Sequence, residues 1–291
     1  MNRLVFIDYL SRSGSTIVCS ELHKIKDLNV TPEFRTGIFR DPYVENESIE
    51  TYENHWRELL AHPKNQRFVG LTQEENISIA SHFDAIEKLL DMAKFLSNDG
   101  EICIKGGGYF TIYWDKYLKS NKDHRLIYIY RDPRAIYSSQ KRSIDSLKSK
   151  PMKTSLIRFV YEVLLYNKFS IRESYKRSVY RVKFEEFVAN KEVLIKDLCN
   201  WLDVGFCIDP KKNYFDVINN EERYLHENIK KPLKSEYNTL NLGFFENFLL
   251  NSILYQYLKQ ENYPVYRLYS IAHLLLKPVV WLYSFAYARI K

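Results

Sequence analysis

Leu4-Val5-Phe6-Ile7 is an uninterrupted apolar run, and Ser11-Arg12-Ser13-Gly14-Ser15-Thr16 follows it as a turn of small hydroxyl side chains around one arginine. From Ile17 to Lys26 the chain carries neither Pro nor Gly and reads as a helix. Buried strand, small-residue turn and helix, in that order, form the repeating unit of an α/β sheet, and this constrains the fold more than any other feature. The turn is also an anion cradle. Small residues let backbone N–H groups approach a phosphate or sulfate, and a helix N-terminus adds roughly half an elementary charge. Arg12 supplies a forked cationic donor, while Ser13, Ser15 and Thr16 supply hydroxyls.

The unit recurs along the chain. Asn29 to Phe34 reads as a short extended segment, because Thr31 precedes a proline and is pushed out of the α region. Residues 36–82 are polar and irregular, with one helix around Ile49 to Leu60, and read as an insertion covering a binding site. Ile86, Leu89, Leu90, Ala93 and Leu96 follow helical spacing and end at Asn98-Asp99-Gly100, a turn signal. Glu101 to Lys105 is a short strand running into Gly106-Gly107-Gly108, where glycine permits a close backbone approach or a tight turn.

Arg125 to Tyr130 is the clearest strand after the first, and Arg131-Asp132-Pro133 closes it. Asp132 is placed to cap a helix that begins at Pro133. A long helix follows with Leu156, Phe159, Val160, Val163 and Asn167 on one stripe, then a strand from Val179 to Phe184. Leu194, Leu198, Trp201 and Leu202 mark the next helix. This alternation predicts an α/β fold, a three-layer parallel sheet flanked by helices, spanning residues 1–263 as one catalytic domain. Ligands of such sheets sit at the carboxyl ends of strands, where both basic turns fall.

Lys and Arg number 43 against 36 Asp and Glu, a net charge of +7 that suits an anionic ligand but equally an acidic membrane surface. Cys19, Cys103, Cys199 and Cys207 form no Cys-x-x-Cys pair and stand near no histidine at metal-ligand spacing, so reduced thiols and no metal are expected. The first strand starts almost at Met1, which predicts a cytoplasmic catalytic unit with no leader. Residues 264–291 form an apolar, aromatic tail in which Leu268 to Ile290 is interrupted by His273 and Lys277-Pro278. A span needs about 20 uninterrupted apolar residues. A packed helix pair, a segment lying on the inner face of a membrane, and a true span all remain open for this tail.

The first turn fails the test for a nucleotide P-loop, since Gly14 precedes Ser15-Thr16 with no lysine between and the nearby cation is Arg12. Nor does a second strand offer a convincing aspartate for magnesium. Arg12-Ser13-Gly14-Ser15-Thr16 instead resembles the 5′-phosphosulfate loop of sulfotransferases that use 3′-phosphoadenosine 5′-phosphosulfate (PAPS), particularly the carbohydrate sulfotransferase branch. Arg131-Asp132-Pro133-Arg134-Ala135-Ile136-Tyr137-Ser138-Ser139 resembles that family's 3′-phosphate motif, which implies that Arg131 and Ser139 hold the 3′-phosphate. Two separated anion sites suit a cofactor with a 3′-phosphate and a 5′-phosphosulfate, whereas a nucleoside triphosphate needs one.

The resemblance implies a P-loop-like sulfotransferase fold and further site residues. Val182-Lys183-Phe184-Glu185-Glu186-Phe187 resembles the family's Tyr-Glu-Asp-Leu segment, with Phe184 in place of the aromatic hydroxyl. His226 to Lys234 resembles a late loop of carbohydrate members, lacking its Gly-Asn and with Lys234 standing for an arginine that would join the 3′-phosphate site. Glu33, in Thr31-Pro32-Glu33, matches a carboxylate that serves as base toward the acceptor hydroxyl; His23 is the alternative. Lys105 matches a lysine near cofactor or acceptor. The implied reaction is PAPS-dependent sulfuryl transfer to a glycan or glycolipid hydroxyl, with no nucleic acid partner. A P-loop-type kinase and a non-catalytic nucleotide- or membrane-binding scaffold are the competing readings.

Overall fold

The computed structural model describes residues 4–31, 100–106, 110–112, 114–118, 123–146, 155–214, 242–276 and 278. Five strands, β1 (Leu4–Tyr9), β2 (Leu28–Val30), β3 (Glu101–Lys105), β4 (Arg125–Tyr130) and β5 (Val179–Lys183), form one sheet in the order β2-β3-β1-β4-β5. Every pairing is parallel. The helices are α1 (Ser15–His23), α2 (Trp114–Tyr117), α3 (Pro133–Ser146), α4 (Leu156–Ser170), α5 (Phe184–Ala189), α6 (Lys191–Leu202), α7 (Phe244–Ile253) and α8 (Tyr255–Gln260). A ninth helical segment, 268–276, we call α9.

All six residues of β1 are buried, as expected of a central strand covered on both faces. Successive side chains point to opposite faces, so β1 divides between two cores. Leu4 and Phe6 join Leu126, Tyr128, Phe159, Val163, Leu250 and Leu258 on one side. Val5 and Ile7 join Val18, Leu22, Cys103, Ile127, Leu198 and Leu202 on the other. The layers are thus helix, sheet, helix. Asp8 is the exception in this apolar strand. It is fully buried, and its carboxylate accepts from the Tyr9 N–H at 2.9 Å and the Thr111 N–H at 2.7 Å, which pins the segment beyond β3 to the central strand.

The first helix begins at Ser15 rather than Ile17 and ends at His23 rather than Lys26. Gly14 adopts a left-handed conformation with φ of 90°, so the chain enters the helix directly from the glycine. Residues 25–26 leave the helix because Ile25 bridges to Ile208 and the Lys26 N–H donates to the Cys207 carbonyl at 2.7 Å. The second unit starts as the sequence predicts. Asp132 accepts from the Arg134 N–H at 2.9 Å and α3 opens at Pro133. The insertion 36–82, the helix around Ile86 to Leu96, Gly107, Gly108, Glu33 and Lys234 lie outside the described residues. Cys19, Cys103 and Cys199 are buried free thiols, and Cys207 is an exposed one.

The C-terminal helices are locked to the second unit by a buried charge. Asp132 and Arg134, 0 and 3 % exposed, pair at 2.6 Å. Arg134 also donates to Asn251 Oδ1 and to the Pro264 carbonyl, each at 2.8 Å. Every one of these partners is satisfied, which is the condition for tolerating a charge in the interior. Removing the arginine strands Asp132, the Asn251 carbonyl and a backbone oxygen together. Arg134→Ala is expected to lower the free energy of unfolding by about 3–5 kcal/mol, read from the urea midpoint at unchanged slope; a loss within experimental error of zero would refute the role assigned to this cluster.

Candidate functional site

The sheet order places β1 between β3 and β4, so three chain segments meet at the carboxyl edge: the Arg12–Thr16 turn in the centre, Lys105 on one side and Arg131 on the other. Of the residues named from sequence, Arg12, Ser13, Gly14, Ser15, Thr16, Lys105, Arg131 and Ser139 fall in this region.

The two basic turns touch. Arg12, held at a left-handed φ of 76°, directs its Nε to Ser139 Oγ at 3.3 Å. Gln140, the next residue on α3, donates from Nε2 to the Ser11 carbonyl at 3.1 Å. A contact through Phe184 joins them a second time. The Arg131 guanidinium lies over the Phe184 ring, 4.6 Å from its centroid, and the same ring fills the space where a Cβ on Gly14 would sit. Gly14 is therefore required twice, for its φ and for this approach.

Several groups here lack a partner. Ser13 Oγ is buried with no hydrogen bond, and so is Arg131 Nε. The first N–H groups of α1 have no intrahelical acceptor, as at any helix start. Burial lowers the pKa of both arginines. Arg142 lowers that of Arg12 further, and Glu185 and Asp132 oppose the effect at Arg131. Arginine stays protonated in proteins, so these shifts register two cations that have lost water without gaining full compensation. An anion placed between the turns would supply what both are short of.

Lys105 is 2 % exposed, a depth at which a lysine needs compensation. Its Nζ donates to Thr16 Oγ1 at 3.1 Å and lies over the rings of Tyr9 and Tyr214, 5.4 and 5.9 Å from their centroids. Among the described residues no carboxylate pairs with it. The Lys105 N–H donates to Thr31 Oγ1 at 3.1 Å, so the backbone reaches this edge two residues before Glu33. His23, the alternative base, has another task. It is buried on α1, where its Nδ1 accepts the Val30 N–H at 3.3 Å and its ring meets Tyr214, and it serves to anchor β2.

Sequence reasoning did not single out the support behind Arg131. Glu185 accepts the Asp132 N–H at 3.0 Å through one carboxylate oxygen and the Tyr263 hydroxyl at 3.1 Å through the other. Lys183 Nζ donates to the Glu261 carbonyl at 2.6 Å, and Arg181 pairs with the Glu261 carboxylate at 2.7 Å. Glu185 stood in the quoted segment as a signal, whereas Tyr263 and Glu261 had none. Among the described residues no His, Cys, Asp or Glu cluster is arranged to hold a metal ion.

Comparison with known proteins gives this edge a context. The family model described as the sulfotransferase family matches residues 5–207. Sulfotransferase STF9 from Mycobacterium avium is similar with a TM-score of 0.53 at 14% identity, covering 91% of this chain and 78% of that one. Mouse sulfotransferase SULT7A1, solved in complex with PAP, gives 0.46 at 13% identity and 89% of each chain. The sulfotransferase domain of the Synechococcus PCC 7002 olefin synthase gives 0.44 at 15% identity, over 82% of this chain and 92% of that one. No curated protein matches. The parallel five-stranded sheet flanked by helices is the fold of STF9, and identity this low bears on fold alone.

The Gly14–Phe184 approach yields a test. Gly14→Ala forces a Cβ into the ring and a non-glycine residue into the left-handed region, together costing about 2–4 kcal/mol of stability. Combining it with Phe184→Leu should recover part of that loss in a double-mutant cycle read by denaturant unfolding. Strict additivity of the two changes would show that the ring is not what Gly14 accommodates.

Proposed function

Because the chain belongs to the sulfotransferase family, we propose that it transfers a sulfuryl group from PAPS to a hydroxyl of a glycan or glycolipid. The observation that carries this reading is the 3.3 Å contact between Arg12 and Ser139, which sets two cationic turns side by side at neighbouring strand ends. A donor with one phosphate at its 3′ position and a phosphosulfate at its 5′ position has two anionic ends, and the two turns offer a cationic site to each. The fit rests on the unpartnered Ser13 Oγ and Arg131 Nε, both hydrogen-bonding groups that a phosphate or sulfate oxygen satisfies.

When bound, PAPS supplies an activated sulfuryl group on a phosphosulfate anhydride. Arg12, Ser13, Ser15, Thr16 and the α1 N–H groups hold its 5′ end, and Gly14 lets the backbone approach. Arg131, Ser139 and Lys234 hold the 3′-phosphate. Lys105, fixed by Thr16 and two aromatic rings, places a positive charge next to the 5′ turn, where it would offset negative charge on a bound phosphosulfate. Glu33 takes the proton from the acceptor hydroxyl. Its support is chain position: Thr31 sits against the Lys105 backbone, and the chain continues to Glu33 from there. The acceptor class rests on the motif resemblance to carbohydrate sulfotransferases.

Calorimetric titration with adenosine 3′,5′-bisphosphate should show one site, weakened about 10- to 100-fold by Arg131→Ala, the range for losing charged hydrogen bonds. Glu33→Ala should leave that affinity unchanged and lower radiolabelled sulfate transfer at least about 100-fold, as loss of a general base does. Binding that ignores Arg131, or full transfer in the Glu33 variant, would overturn the respective assignment.

A further inference from the structure

The helix α9 is amphipathic in the reverse of the usual sense. Tyr269 and His273 face inward: Tyr269 meets Phe248 with ring centroids 5.9 Å apart, and His273 is buried with its Nδ1 2.9 Å from the Ser252 carbonyl. Tyr255 flanks the His273 ring at 6.1 Å. Residue numbers rise together along both partners, so α9 runs beside α7 in the same direction. The other side carries Leu268, Ile271, Leu274 and Leu275, which are 73, 62, 69 and 74 % exposed. That stripe is wholly aliphatic, so the His273 contact of this helix is buried while, among the described residues, nothing covers its apolar face.

Helix α7, packed beside α9, carries exposed apolar residues of its own. Phe244 and Phe245 open that helix one turn before Phe248 and are 89 and 68 % exposed. Tyr266, just ahead of α9, is 79 % exposed at the same end. Large apolar side chains exposed in this number on two packed helices mark an interaction surface. The charge pattern says which kind. From Asn262 to Lys291 the sequence holds no Asp or Glu and carries Arg267, Lys277, Arg289 and Lys291. The acids of the neighbouring helices are engaged, Glu246 with Lys141 at 2.8 Å and Glu261 with Arg181 at 2.7 Å. Trp281, Tyr283, Phe285 and Tyr287 follow in the same acid-free stretch.

We propose that the α9 stripe, with Phe244 and Phe245, docks on a lipid surface bearing anionic headgroups. Aliphatic and aromatic side chains enter the boundary between headgroups and acyl chains, while Arg267, exposed just ahead of α9, meets the lipid phosphates. A second copy of the chain is the poorer occupant. A two-fold interface pairs a patch with itself and would place Arg267 in a patch that offers it no acidic partner. Among the described residues no helix is long and apolar enough to cross a membrane. The proposal does not depend on the donor or acceptor assigned above.

The test is flotation of the full chain with vesicles of phosphatidylcholine alone and of phosphatidylcholine with about a third phosphatidylglycerol. Wild type should float with the anionic vesicles, less with the neutral ones, and less again at high salt. The double variant I271E/L275E should lose anionic-vesicle binding about tenfold or more, with unchanged circular dichroism and unchanged affinity for adenosine 3′,5′-bisphosphate. If that variant fails to fold, Phe244→Ser/Phe245→Ser provides the same readout from α7. Wild type that stays with the lipid-free fraction, or equal binding to neutral and anionic vesicles, overturns the proposal. So does a folded variant that floats like wild type, or a lipid-free dimer in sedimentation that I271E/L275E dissolves.

Discussion

The approach of Phe184 to Gly14 is the contact on which the site depends. A side chain at position 14 would push the ring away, and with it the surface on which Arg131 rests. The ring thus sets the distance between two cationic turns that belong to different βα units and are far apart in sequence. Parallel pairing of β1 with β4 brings their ends near, but pairing alone does not orient side chains. Phe184 begins α5 directly after β5, so a third strand determines where the first two turns can sit.

Buried charge at this edge divides into two kinds. Arg134 and Asp132 are matched in number and geometry, and they fasten α3 to α7 and to the segment at Pro264. Arg12, Arg131 and Lys105 are not matched in this way. Arg12 and Lys105 rest on hydroxyls, and Arg131 and Lys105 on aromatic faces. Rings and hydroxyls reduce the cost of burying a cation without cancelling its charge. The same fold therefore spends one arginine on stability and keeps neighbouring cations available for a ligand, and Asp132, between Arg131 and Arg134, accepts from only one of them.

Much of this was legible from sequence because the relevant signals are local. Apolar runs ended by small or basic residues located β1, β3, β4 and β5, and Asp132-Pro133 located the start of α3. Sequence alone starts the first helix two residues late because Gly14 resembles turn material, whereas its left-handed φ makes it the entry to the helix. His23 gave no sign in sequence that its ring would serve β2, since that depends on where Val30 returns in space. The Glu185–Tyr263 and Lys183–Glu261 contacts join residues 78 apart, and no spacing rule reaches across such a separation. Motif reading recovers the groups that gather at the carboxyl edge of the sheet and misses the long-range contacts that support them from behind.

The C-terminal helices show how one element can serve two surfaces. On their inner side α7 and its continuation provide Asn251 and the Pro264 carbonyl to Arg134, and Tyr263 to Glu185, so they brace the Arg131 turn from behind. On their outer side they carry the aliphatic stripe and the two exposed phenylalanines. An apolar face on an element with no inward contacts would peel off or collapse onto the nearest core. Here Leu250, Leu254 and Leu258 are fully buried beneath it, so the outer residues are held where water meets them. That arrangement is costly in water, and the cost falls when another apolar phase covers the face. The brace behind the Arg131 turn and the exposed aliphatic stripe are then opposite sides of one helical layer.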